Sequence, residues 1–185
     1  RVTLNPFKHI DRFGTVILPL LLILMKSPFI FGWAKPVPVM FHRLKNPLRD
    51  MVIVAIAGPL TNIVLAIISA SILSIMQNLS LLDNLWLVRT LINFIFINII
   101  LAVFNMIPIP PLDGGRVAVG LLPKYISYQL AKLERYGLFI IIGALFILPL
   151  IGKKIGIPLE PIHWFIQYVS NFLLTIISFL TGLSI

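Results

Sequence analysis

The sequence predicts an all-α polytopic membrane protein with about four to five membrane segments, one of them broken or re-entrant, and a small extended or β element near residues 29–40. Three observations predict it. Within 185 residues, 59% are hydrophobic and the mean hydropathy is +1.04, more apolar surface than a soluble core of this size can hide. Residues 51–82 and 90–112 carry no charge at all. The 15 basic residues outnumber six carboxylates, giving a net charge of +9, and they fall between the apolar runs. There they serve topology and anionic headgroups, so nucleic acid is not the expected partner. No cysteine occurs, which excludes a disulfide framework and any thiolate metal site.

One membrane domain is expected over residues 1–185, with an interfacial and re-entrant part (1–50), a transmembrane hairpin (51–106) and a C-terminal part (107–185). The first residue is Arg1, and Arg-Val-Thr-Leu-Asn-Pro has neither the apolar core nor the cleavage site of a signal peptide. The expectation is a piece that begins within a longer chain. Phe13–Met25 is apolar but contains Pro19 and is too short for the roughly 20 residues of a clean span, which suits a re-entrant segment. Phe29–Val39 combines aromatic residues with Pro36 and Pro38, suited to an extended edge.

Met51–Met76 is long enough to cross, and Leu85–Met106 brings the chain back. The connection between them has no basic residue, whereas Arg43, Lys45, Arg49, Arg116 and Lys124 collect at the other end. By the positive-inside rule that basic end, and Asp113 with it, faces the cytoplasm. Gly114 to Arg135 reads as amphipathic. Tyr136–Gly152 is uncharged but short and contains Pro149; Ile162–Ile185 is a better-sized last span. A simple count of crossings then puts Lys153 and Lys154 on the outside, against the charge rule.

Asp113 stands out because it follows the charge-free residues 90–112, in backbone that Pro108, Pro110 and Pro111 keep from being an ordinary helix. Such backbone is tolerated at membrane depth only where protein buries it or a cavity wets it. Asp113 can cap a helix beginning at Gly114 or pair with Arg116. Alternatively it is a hard oxygen ligand for a metal, or a proton-relay acid. Gly58 and Asn62 share one helix face with Ala66 and Ser69, and Asn98, Ala102 and Asn105 form a similar stripe. Both stripes suit close helix packing; equally, Asn62 can donate to an extended peptide in a polar interior. His9, His42 and His163 make no ligand pair, since His-x-x-x-His is absent.

Asn105-Met-Ile-Pro-Ile-Pro-Pro-Leu-Asp-Gly-Gly115 resembles the Asn-x-x-Pro-x-Pro-x-Leu-Asp-Gly-Gly signature of the site-2 protease family of intramembrane zinc metalloproteases. Ala57-Gly-Pro-Leu-Thr-Asn62 is similar to that family's Ala-Gly-Pro-x-x-Asn motif. Leu4–Thr15 and Phe31–Pro38 resemble its compact bacterial branch. The resemblance implies one zinc ion with Asp113 as a protein ligand, Asn62 and Asn105 along the substrate path, and transmembrane or membrane-tethered proteins as substrates. It also implies a His-Glu-x-x-His helix carrying the general base and two further ligands. That motif is absent from these residues, so the chain alone is expected to be inactive. Two other readings stay open: a non-catalytic relative that binds membrane segments, and a small transporter or channel subunit with an ion site at the broken helix.

Overall fold

The computed structural model describes Phe7, residues 10–24 and residues 46–183, except for the side chains at 18 and 138. His9, His42 and the extended element expected near 29–40 lie outside the described residues. Two compact units divide the chain, residues 1–43 and 44–185.

In the first unit a π-helical stretch, Arg12–Ile17, leads into α1, Leu18–Leu24. Asp11 fixes its start: the carboxylate accepts from the Phe13 and Gly14 N–H groups at 3.0 and 2.8 Å. Pro19 lies just after the π-helical stretch, whose wider turn accommodates its missing N–H. Thirteen helical residues reach about 20 Å, short of a hydrocarbon core about 30 Å thick.

The second unit is built on α2, Pro47–Asn78, and α3, Leu85–Asn105. Pro47 opens α2 at a position that needs no donor, and Asp50 reaches back to accept the Asn46 N–H at 3.2 Å. Asn84 accepts the Leu87 N–H at 3.1 Å to start α3. Then follow α4, Asp113–Leu121; α5, Lys124–Lys132; α6, Glu134–Ile142; a π-helical segment, Gly143–Ile147; α7, Leu148–Ile155; and α8, Pro161–Thr181. No strand occurs among the described residues. Four helical runs are long and apolar enough to cross a membrane: Pro47–Asn78, Leu85–Asn105, Glu134–Ile155 and Pro161–Thr181.

The core lies between α2, α3 and α8. Ala66 and Ala70, both 0% exposed, let Ile95, Ile99 and Ile177 pack closely on α2. The opposite side of α2 exposes Ile53, Leu60, Val64, Ile68, Ile72 and Ile75, a stripe suited to acyl chains. Helix α4 lies along the first half of α2, where a side chain at Gly120 would strike Val52.

Two parts of the C-terminal third differ from the sequence reading. The amphipathic stretch over residues 114–135 is two short helices, because Leu122-Pro123 turns the chain. Ser127 Oγ closes that corner on the Val119 carbonyl at 2.6 Å. The run expected over Tyr136–Gly152 extends to Glu134–Ile155, since charged residues at its ends continue the helix and the π segment accommodates Pro149. Helix α8 starts beside Ile107 and Pro108 and ends beside the α2–α3 turn.

Replacing Ala70 by Leu is expected to overpack the three-helix core and cost about 1–3 kcal/mol. Detergent-titrated unfolding should show it, whereas Ile72→Leu on the exposed side should leave the midpoint unchanged.

Candidate functional site

The site begins where α3 stops. Met106 N–H still donates to the Ala102 carbonyl at 3.1 Å, but prolines then remove the donors a further turn needs. The chain instead makes tight local bonds: Ile109 N–H to the Ile107 carbonyl at 2.8 Å, and Leu112 N–H to the Ile109 carbonyl at 3.1 Å. The Pro110–Pro111 bond is cis. This loop folds back on the first turn of α4. Gly114 rests on the Met106–Ile107 backbone and Gly115 on Ile109–Pro110, so close that a Cβ at either would overlap main-chain atoms. From the other side Gly137 of α6 presses on the Pro110 carbonyl. Pro110 is fully buried as a result. Ile107 and Pro110 of the irregular backbone are thus buried between two helices, while Met106, Pro108 and Pro111 keep an exposed side.

Asp113, the first residue of α4, is held half-buried by this clamp. It faces Gly58 of α2: a Cβ there would lie 3.3 Å from Oδ2. The two stretches singled out by the sequence, 55 residues apart, therefore meet at a carboxylate and a bare helix surface. Neither structural role left open for Asp113 is filled. Leu112 occupies the cap position of α4, with no side-chain bond closing that end. Arg116 turns to Glu134 at 3.8 Å. Burial pushes the Asp113 carboxyl above the usual carboxylate range, and the Arg116 charge partly offsets this. A cation at that carboxylate would favour the ionised form.

Asn62 lies one turn beyond Gly58 on the same face of α2 and is half-buried. Asn105 ends α3, directly before the Met106 carbonyl on which Gly114 rests, and is also half-buried. Asn98 is different. It is 4% exposed and donates to its own Phe94 carbonyl at 2.8 Å, so packing accounts for it. Ala66 and Ser69 likewise belong to the core, with Ser69 bonded to the Leu65 carbonyl at 2.9 Å. Each small-residue stripe is therefore divided: one part is buried in the three-helix core, and the part nearer Asp113 is half-buried or exposed. His163 is exposed at the start of α8 and lines a cleft of about 240 Å³ with Ile100 and Gln167. Among the described residues no three His, Asp or Glu side chains gather to hold a metal ion. A carboxylate is a hard oxygen donor, and Asp113 is the one that α4 brings to the bare surface at Gly58.

The sequence pattern does not reveal that Gly58 opposes Asp113 or that Gly137 locks Pro110. A glycine directly before Pro59 inside a helix, and paired glycines directly after an acid, are the signals that point to such close approaches.

A family model described as peptidase family M50 matches residues 70–150, a stretch that includes Asn105 and Asp113. A Bacillus subtilis (strain 168) protein named "Putative zinc metalloprotease YwhC" is 38% identical over 159 residues, 81% of this chain and 66% of that protein. A Methanocaldococcus jannaschii protein named "Putative zinc metalloprotease MJ0611" is 45% identical over 64 residues, 35% of this chain and 31% of that protein. No solved structure matches the chain. The fold and these matches define a polytopic membrane protein of the peptidase class. The chain belongs to peptidase family M50, the site-2 protease family.

Gly114→Ala puts a methyl group into the immovable Met106 carbonyl and is expected to cost about 1–3 kcal/mol. Gly58→Ala meets only a carboxylate able to shift and should cost far less. Melting temperatures of the two variants in detergent test the difference; equal losses would show that the loop does not depend on the Gly114 contact.

Proposed function

We propose that the chain is part of an intramembrane zinc endopeptidase of the site-2 type, hydrolysing peptide bonds of membrane-embedded substrates near the cytoplasmic face of a bacterial inner membrane. One observation carries the reading: Asp113 is half-buried at the end of an apolar helix hairpin, caps nothing, pairs with nothing within 4 Å among the described residues, and faces a helix surface without a side chain. That arrangement suits an oxygen ligand with space beside it. Gly58 lies 20 residues from Asn78, or about 30 Å along α2, which puts Asp113 near one hydrocarbon boundary if the α2–α3 turn marks the other.

Zinc in such a site lowers the pKa of a bound water to about 7, supplying hydroxide to attack a peptide carbonyl. The roles assigned to this chain are narrower. Asp113 gives one ligand, positioned by the glycine-clamped loop. Asn62 and Asn105 offer amide donors and acceptors to an extended substrate backbone, which must leave its helix to be cut. The other two ligands and the general base are assigned to a His-Glu-x-x-His helix outside these 185 residues. A non-catalytic relative that binds membrane segments is the rival reading. Reading the residues encoded upstream of Arg1 decides between them: a chain without the motif there is no protease.

In the full-length protein, Asp113→Asn is expected to abolish zinc retention and cleavage of a membrane-tethered reporter while leaving membrane insertion intact. Unchanged zinc content by metal analysis would remove Asp113 from the ligand set. Asn62→Leu should weaken reporter cleavage much more than zinc content. Equal loss of both would return Asn62 to helix packing.

A further inference from the structure

We propose that the apolar run Glu134–Ile155 does not cross the bilayer but enters and leaves it on the Asp113 side, as an oblique re-entrant element whose Lys153 and Lys154 rest on the anionic headgroups of that leaflet. Length and composition alone would make it a span. Three attachments say otherwise. At its start, Glu134 lies 3.8 Å from Arg116 and Gly137 presses on the Pro110 carbonyl. At its middle, Ala144 shares a cavity of about 350 Å³ with Ile107, Pro108, Pro161 and Phe165. At its end, Gly152 abuts the backbone of Ile157 and Leu159, and Leu159 is two residues, at most about 7 Å, from Pro161.

The start and middle of the run therefore lie at the proline loop, and its end is held against the segment that leads into α8, whose first residue shares the loop's cavity. The opposite end of the bundle is far away. Leu183 meets Gln77, Leu82 and Val88 at the α2–α3 turn, and it lies 22 residues, or about 33 Å, beyond Pro161 along α8. A spanning helix would have to carry Ile155 to that turn and send α8 in the reverse direction.

The charges agree with the geometry. Arg49, Arg116, Lys124, Lys132 and Arg135 lie in the segments around the Asp113 end, whereas the α2–α3 end carries Asp83 and a single basic residue, Arg89, in the first turns of α3. Placing Lys153 and Lys154 with the basic group removes the conflict with the positive-inside rule. Phe139, Ile142, Phe146, Ile147, Leu150 and Ile151 are all exposed. Acyl chains of one leaflet are the partner that fits so apolar a surface beside two lysines.

Because these residues include no cysteine, single thiols can be placed in the full-length protein, with any others replaced. Lys153→Cys is compared with Lys124→Cys for the Asp113 side and Ser80→Cys for the α2–α3 turn, using a membrane-impermeant maleimide on right-side-out and inverted vesicles. Lys153→Cys is expected to react in the same vesicle orientation as Lys124→Cys and not in that of Ser80→Cys. Reaction with the Ser80→Cys pattern would make the run a span and overturn the proposal. Reaction only after detergent would overturn the headgroup placement. None of the readouts depends on peptidase activity.

Discussion

A backbone that cannot be helical yet must sit at membrane depth is the constraint on which the rest of this structure depends. Residues 106–112 have three prolines and therefore too few donors to close helical turns. Exposed to lipid, each unsatisfied group would cost several kcal/mol. The chain meets this with local bonds and with contacts from which side chains are missing: Gly114 and Gly115 on one side and Gly137 on the other. The broken helix needs those glycines, and they in turn fix where α4 and α6 begin.

Asp113 inherits its position from that clamp. It heads α4, so the partial positive charge of the helix start favours its ionised form, against the desolvation that works the other way. Facing it, α2 offers an open glycine. Nearby charge is used elsewhere, since Arg116 answers Glu134.

Much of this was legible in the sequence, for reasons of range. The hairpin helices follow from charge-free runs, and the expected Met51–Met76 and Leu85–Met106 became Pro47–Asn78 and Leu85–Asn105 once the capping residues Pro47 and Asn84 are included. The acid and its broken helix were visible because prolines act on their own neighbours. What pairs with what was not visible. Gly58 against Asp113 and Gly137 against Pro110 are long-range contacts, each made by a missing side chain that leaves no hydrophobic pattern. The Asn98 stripe suits close helix packing, and Asn98 bears this out, since its amide is satisfied one turn back on its own helix. The direction of α8 was hidden too, because a count of crossings treats every apolar run alike.

Since Gly114 and Gly115 meet only main-chain atoms of the loop, the location of the acid on that side is indexed to the backbone. Met106 contributes its carbonyl to that contact while its side chain stays exposed. Mutational drift of that side chain leaves the seat of the carboxylate unchanged, whereas drift at the prolines does not, because their missing donors are what break the helix.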